Sequence, residues 1–125
     1  MLELQSLTSM SRPAQSLPLS RVATLCLEGD IGKAELHDVG DMLFRYANEG
    51  VIRVIVDLSE VSHFDYRAVK PLLARASVFR AAGGDIKLAG LSPYLHAIFR
   101  SAGAHDEFDF FAQVGDARAA FHAEM

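Results

Sequence analysis

The stretch VIRVIVDLSEVSHFD, residues 51–65, carries the strongest structural signal in the sequence. Its first eight residues, 51–58, are mostly β-branched or apolar, as in a strand that is buried on both faces of a parallel sheet. Pro71 follows soon after, and proline is tolerated in a helix only within the first turn. We therefore expect a strand over 51–58, a loop over 63–66 and a helix that begins near residues 67–68.

The same alternation of strand and helix patterns extends on both sides of this stretch. Predicted strands lie at 22–28, 51–58, 85–89 and 108–111, and apolar residues recur at helical spacing within 36–47, 69–79 and 95–99, with a fourth helix after the last strand. Gly50, Gly83 and Gly103 each follow a helical stretch, where glycine is the favoured C-cap residue. Ser92-Pro93 is typical of a helix start. The alternation predicts an α/β fold whose strands are joined by helical crossovers.

The length of 125 residues suits one domain. We expect that domain to span 21–125, preceded by a segment, 1–20, that combines a short edge strand at residues 2–4 with a mobile loop rich in serine and proline. The net charge of −4 gives no general attraction to nucleic acid. Neither a signal peptide nor a membrane-spanning run is present, which predicts a cytoplasmic protein without direct membrane insertion. Cys26 is the single cysteine, expected as a buried thiol in a reducing compartment.

Residues 54–65 resemble the signature of STAS domains, the fold shared by anti-sigma factor antagonists and the cytoplasmic ends of sulphate transporters. Three further segments, 27–31, 83–88 and 91–103, resemble other parts of the same family in the same order. The resemblance covers about residues 21–121. It implies a STAS-like α/β fold: a mixed, mostly parallel sheet of about four or five strands, with about four helices on one side.

The resemblance also implies a function, which is to bind a protein partner such as an anti-sigma factor or a related switch kinase. Partners of the family dock on the loop and helix start after the second strand, with support from the turn over 29–33. The residues of this surface are Ser62, His63, Asp65, Tyr66, Arg67 and Ala68, together with Asp30 and Gly32 of the turn. Independently of the family, Asp65 is expected to cap the following helix, and Tyr66 beside Arg67 has the composition of an exposed binding hot spot.

This surface departs from the family at the position that is phosphorylated. Members regulated by phosphorylation have Asp-Ser-Ser-Gly or Asp-Thr-Ser-Gly where this chain has Asp65-Tyr66-Arg67-Ala68. Tyr66 occupies the acceptor position, and its hydroxyl lies at the far end of a ring. Gly32 also stands where many members have an aspartate. We therefore expect no phosphorylation at the usual position, and Ser59 and Ser62 remain open as alternative phosphosites.

The sequence supports neither a metal site nor a cofactor. The five histidines are scattered, without the spacing of a zinc site, and the glycines do not form a phosphate-binding fingerprint. His63 and Asp65 are the only histidine–carboxylate pair within the suspected surface, and they lack a nucleophile placed across a cleft. A protein-interaction module of transcription regulation is thus the leading hypothesis. An accessory subunit of a lipid- or solute-transport ATPase and a small α/β enzyme stay open as alternatives, as does a homodimer.

Overall fold

The computed structural model describes residues 21–125, and this part of the chain forms a parallel sheet flanked by α-helices. The strands are β1 (Ala23–Ile31), β2 (Arg53–Phe64), β3 (Asp85–Ala89) and β4 (Phe110–Phe111). They lie side by side in chain order, and each neighbouring pair is parallel. The predicted α/β class is confirmed. The edge strand expected at residues 2–4, the mobile loop and the boundary after residue 20 lie outside the described residues.

Helices join the strands, as parallel pairing requires. They are α1 (Lys33–Asn48), α2 (Val69–Ala81), α3 (Pro93–Ser101) and α4 (Val114–Glu124), and a 3₁₀ helix at Tyr66–Ala68 leads into α2. Gly50, Gly83 and Gly103 follow the first three helices with positive φ, as predicted. The Ser92 hydroxyl caps α3 by accepting a hydrogen bond from the Leu95 amide at 3.1 Å. Within 21–125, no helix has the length and apolar character needed to cross a membrane.

The hydrophobic core lies in two layers, one on each face of the sheet. α1, α2 and α3 pack on the face that presents Val54 and Val56. α4 packs on the opposite face, where a smaller cluster includes Ile55 and Phe121. Successive side chains of β2 point to opposite faces, which is why neighbouring residues belong to different layers. The helices therefore cover both faces, and the expected placement on one side applies only to the first three.

One charged side chain, Lys87 of β3, is buried on the α4 face at 1% exposure. Its ammonium nitrogen lies 2.8 Å from a carboxylate oxygen of Asp109 and of Glu124, and 4.7 Å from the centre of the Phe121 ring. Burial opposes the charged form, but the hydrogen bonds to the two carboxylates outweigh it and raise the pKa of Lys87. Lys87 therefore stays charged and holds the C-terminal end of α4 against the sheet.

β2 is longer than predicted and ends at Phe64. Its pairing with β1 continues across register shifts, so that Asp30 lies opposite His63 and Ile31 lies opposite Phe64. His63 and Phe64 are strand residues, and the predicted loop is wrong for both. Asp65 alone separates β2 from the 3₁₀ helix. Irregular pairing of this kind breaks the alternation of apolar and polar residues from which a strand end is predicted.

Two further expectations are wrong. Cys26 is exposed, because α4, the helix on this face within residues 21–125, packs mainly on β2, β3 and β4 rather than on β1. The pKa of the Cys26 thiol is nevertheless raised. The larger cause is partial desolvation of the sulfur, and the smaller cause is the neighbouring negative charge of Asp57. β4 is shorter than predicted, because Phe108 lies in a turn and packs its ring into the core, 5.8 Å from the ring of Phe99.

Because α2 begins at Val69, Pro71 lies in the first turn of the helix, where its missing N–H has little effect on stability. Pro71 is the third residue of α2 and is exposed, and amides of the first turn have no carbonyl partner within their helix. We expect Pro71→Ala to change the free energy of unfolding by less than about 0.5 kcal/mol, with any loss coming from a more flexible unfolded chain.

Chemical denaturation measures this change. The matched control is Ala74→Pro, at an exposed position one turn later, which should cost about 3 kcal/mol. A stabilisation approaching about 3 kcal/mol for Pro71→Ala would contradict the placement, because it would mean that the proline strains the interior of a helix.

Candidate functional site

The candidate partner-binding residues lie at the carboxyl ends of β1 and β2. The Asp65 amide donates a hydrogen bond to the Ile31 carbonyl at 2.8 Å, immediately beyond the last paired residues of the two strands. The structure thus brings segment 29–33 beside segment 62–68. Residues 29–31 belong to β1, however, and only Gly32 separates that strand from α1, so the turn is shorter than expected.

Asp65 and Arg67 form the charged part of the site. The Asp65 carboxylate accepts a hydrogen bond from the Arg67 amide at 2.9 Å and caps the 3₁₀ helix, as predicted. It also accepts hydrogen bonds from Nε and Nη2 of Arg67, at 3.1 and 2.8 Å. The side-chain and backbone hydrogen bonds from Arg67 lower the pKa of Asp65 to about 2, and the same ion pair raises the pKa of Arg67. The guanidinium is therefore held in one orientation at the surface.

Two tyrosines border the same region. Tyr66 is 61% exposed, which agrees with its predicted surface position, and Tyr94 of α3 is 52% exposed. The Tyr94 hydroxyl is hydrogen-bonded to Nδ1 of His63 across 2.6 Å, and the two ring centres lie 5.7 Å apart. This contact joins the end of β2 to the start of α3.

A cleft of about 520 Å³ lies between α3 and the segment that leaves β2. Segment 63–67 forms one wall, and Tyr94, Ala97, Ile98 and Ser101 of α3 contribute the other. Sequence reasoning missed the α3 wall. Its residues recur at the i, i+3, i+4 and i+7 positions that mark one helix face, but the sequence did not indicate that this face meets the end of β2.

The remaining predicted contact residues differ in accessibility. Ser62 and Asp30 are exposed. Ala68 is wholly buried in the main core and offers no surface to a partner, contrary to the prediction, because it lies on the core side of the helix start. Gly32 is half-buried, and its amide donates a hydrogen bond to Oε1 of Glu35 at 2.9 Å. Glu35 thus supplies a carboxylate to this helix start.

Asp57 and the alternative phosphosites lie outside the cleft wall. Oδ1 of Asp57 accepts a hydrogen bond from the Ser59 amide at 3.0 Å, which gives this aspartate a structural role at the end of the regularly paired part of β2. Ser59 and Ser62 are both exposed, so accessibility does not distinguish them as acceptors.

A group of possible metal ligands that the sequence pattern did not predict lies on α1. His37, Asp38 and Asp41 each bring one ligand atom within 4.8 Å of the others. The sequence pattern of this group is one histidine followed by carboxylates at i+1 and i+4, which differs from the histidine and cysteine spacing of a zinc site. All three side chains are exposed, and such groups are common without an ion, so they carry no metal assignment.

The family model of the STAS domain matches residues 19–117 of the chain. The match includes both walls of the cleft and all four described strands. No curated protein matches the chain in sequence.

Solved structures share the fold at low identity. The STAS domain of a SulP transporter from Vibrio cholerae is 17% identical, with a TM-score of 0.67 and 82% of each chain covered. A provisionally assigned anti-sigma factor antagonist from Thermotoga maritima is 13% identical, with a TM-score of 0.70, covering 79% of this chain and 87% of the other. The Bacillus anti-sigma factor antagonist SpoIIAA in its unphosphorylated form is 18% identical, with a TM-score of 0.70, covering 82% and 90%. At these identities the likeness shows the fold alone.

The ion pair of Asp65 and Arg67 predicts a distinctive titration. Asp65 should ionise with a pKa of about 2 in the folded chain, below the ordinary aspartate value of about 3.9. Because the folded-state pKa is the lower one, the stability that ionised Asp65 contributes is complete above the unfolded-state pKa and is lost as the pH falls through about 2. NMR titration of the side-chain carboxylates measures the midpoint directly.

Arg67→Met should move the Asp65 midpoint up toward the ordinary value, because it removes the two side-chain hydrogen bonds. Arg45→Met, which changes an exposed arginine on α1, is the control and should leave the midpoint in place. A midpoint near about 4 in the unchanged chain would contradict the ion pair.

Proposed function

This chain belongs to the STAS domain family, and on that premise we propose that it is a non-enzymatic protein-interaction module that binds an anti-sigma factor or a related switch kinase and so regulates transcription. The observation that carries the proposal is the cleft between α3 and segment 63–67. Exposed Tyr66, Arg67 and Tyr94 surround it. Tyrosine and arginine are the residue types that most often dominate protein–protein binding energy.

Preorganisation of this surface supports the proposal. The ion pair with Asp65 fixes the Arg67 guanidinium, and the hydrogen bond with His63 fixes the Tyr94 ring. A side chain that is ordered before binding loses less conformational entropy when a partner docks. Most of the conformational entropy of these two side chains is therefore lost when the chain folds, and little remains to be lost when a partner binds.

The apolar part of the cleft suits a side chain of the partner. Ile98 and Ala97 belong to the α3 wall, and buried Phe64 lies beneath the opposite wall. An apolar floor with a polar rim is the usual arrangement of a binding interface. We propose that a partner inserts an apolar side chain between the two tyrosines.

Binding without phosphorylation at the usual position is part of the same proposal. Tyr66 holds the position of the family's acceptor, and a phosphate on its phenol would lie a full ring away from the amides of the helix start. A phosphoserine is stabilised at a helix start by those amides and by the helix dipole. The interaction is accordingly constitutive at this position, with Ser59 and Ser62 open as alternative phosphosites.

The absence of catalysis is likewise a proposal. His63, the histidine of the cleft, is hydrogen-bonded to the phenol of Tyr94, and Asp65 is engaged by Arg67. A general base needs a nucleophile within hydrogen-bond reach, and the hydrogen-bond partner of His63 is not a serine or cysteine.

The alternative function is that of an accessory subunit of a lipid- or solute-transport ATPase at the cytoplasmic face of a membrane. A transporter STAS domain is among the structures that share the fold, and loss of the phosphoacceptor does not affect this function. Affinity capture followed by mass spectrometry distinguishes the two, because the first predicts capture of an anti-sigma factor or switch kinase and the second predicts capture of transporter subunits.

The proposed surface predicts the effect of changing Tyr66 and Arg67 together to alanine. Binding to the captured partner should weaken by about 2 kcal/mol or more, roughly 30-fold in dissociation constant. The free energy of unfolding should change little, because both side chains are exposed and the Asp65 carboxylate still caps the helix. Isothermal titration calorimetry and thermal unfolding measure the two effects.

The control for this experiment is Phe44→Ala, which removes an equally exposed aromatic side chain from α1. It should leave partner binding unchanged. Normal binding by the Tyr66→Ala, Arg67→Ala double variant, or a large loss of stability in that variant, would contradict the surface assignment.

A further inference from the structure

The side chain of Arg67 has a second donor edge that the fold leaves open. Its Nε and Nη2 donate hydrogen bonds to the two carboxylate oxygens of Asp65, at 3.1 and 2.8 Å. A guanidinium is planar and its five N–H groups form a fixed fork, so a carboxylate bound at Nε and Nη2 leaves the edge between Nη1 and Nη2 open to another acceptor. Within residues 21–125, Arg67 has no side-chain hydrogen bond beyond those to Asp65. We call the edge between Nη1 and Nη2 the outer edge.

The outer edge is held in place before a partner binds. The carboxylate that binds the guanidinium is itself fixed, because it accepts a hydrogen bond from the Arg67 amide at 2.9 Å. The Asp65 amide is in turn bonded to the Ile31 carbonyl at the end of the sheet. The Arg67 side chain is 64% exposed and belongs to the cleft lining. The outer edge is therefore turned away from Asp65 and is accessible from solvent.

The cleft offers hydrogen-bond donors but no free carboxylate. In the described part of the chain, Asp65 is the single carboxylate among the lining residues, and Arg67 binds both of its oxygens. Lys70 follows Arg67 at i+3, a spacing at which helical side chains are neighbours. Lys70 is exposed and forms no ion pair with another described residue. Asp30, an exposed carboxylate near the end of β1, lies outside the lining. This wall of the cleft therefore favours a negative group of a partner.

We propose that the outer edge of Arg67 binds a carboxylate of the protein partner, an aspartate or glutamate next to the apolar residue that enters between the two tyrosines. This binding mode rests on the proposed function of the cleft and adds the chemical class of the partner. Two parallel hydrogen bonds from a guanidinium to a carboxylate are short and charge-assisted, and they fix the orientation of both groups. Arg67 is already ordered, so the pair forms with little further loss of conformational entropy.

A carboxylate suits this position better than a phosphate does. Asp65 occupies the neighbouring edge of the same guanidinium, so an anion at the outer edge lies close to a negative charge. A carboxylate brings one further negative charge, which Lys70 balances, whereas a phosphate brings nearly two. The surface therefore recognises an acidic, unmodified segment of the partner.

Random peptides displayed on phage and selected on the immobilised full-length chain test this preference. Peptides that occupy the cleft are identified by their loss of binding to Tyr66→Ala. Among these peptides, we expect a shared pattern in which an aspartate or glutamate stands beside an apolar residue. One such peptide, made synthetically, is the probe for the binding measurements.

Isothermal titration calorimetry with this peptide measures the contribution of Arg67. Arg67→Met should weaken binding about tenfold at low salt. Arg67→Lys should weaken it nearly as much, because an ammonium keeps the positive charge but does not present a planar fork. Arg45→Met, which changes an exposed arginine of α1, is the control and should bind normally. Circular dichroism establishes that each variant is folded, as expected for exposed positions.

The peptide supplies the second half of a double-mutant cycle. Replacing its carboxylate with the corresponding amide should weaken binding to the unchanged chain by the same factor and should have little effect on binding to Arg67→Met. Raising the salt concentration from about 0.05 M to about 0.5 M should reduce the difference between the unchanged chain and Arg67→Met, because salt screens exposed charges.

Cleft-binding peptides that lack a carboxylate would overturn the proposal. Full binding by Arg67→Lys would also overturn it, as would an amide peptide whose binding still falls about tenfold on Arg67→Met. These results would leave the cleft itself as the docking surface. If no selected peptide loses binding on Tyr66→Ala, the proposed cleft fails, and the carboxylate site fails with it.

Discussion

The parallel pairing of β1 with β2 as far as Ile31 and Phe64 determines where a binding surface can form. It brings the starts of α1 and of the 3₁₀ helix to the same edge of the sheet, with the Asp65 amide bonded to the Ile31 carbonyl. Phe64, the last residue of β2, is wholly buried and packs 5.2 Å from the ring of Phe99 in α3. That core contact sets α3 against the end of β2 and so creates both walls of the cleft.

Local signals in the sequence predict most of the fold and one wall of the cleft, the wall formed by segment 63–67. β3 is short and apolar and was predicted at its observed limits, and glycine and Ser92 marked helix ends because caps are local. The capping role of Asp65 followed for the same reason, and the exposure of Tyr66 followed from its position beside Arg67 at a helix start. The end of β2 could not be predicted in this way. Glu60 and Ser62 are polar residues typical of loops, and they belong to the strand only because of the irregular pairing with β1.

Long-range packing explains what the sequence did not indicate. Tyr94 became part of the site only because the Phe64–Phe99 contact orients α3. The position of α4 depends on Lys87, whose neighbours Asp109 and Glu124 are distant in the chain. A lysine in a short strand is usually exposed, and only the completed fold surrounds it with carboxylates and aromatic rings. The ion pair with Glu124 opposes a shift of α4, while Asp109 and Asp85 pair with Lys87 independently of that helix.

We propose that a protein partner docks in the cleft between α3 and segment 63–67, and amide hydrogen exchange of the complex tests this claim most directly. Binding is predicted to slow exchange at residues 65–68 and along α3, while amides of α4 keep their free-state rates. Protection confined to α4, or to the outer face of α1 and α2, with unchanged exchange around Tyr66 and Tyr94, would contradict the claim.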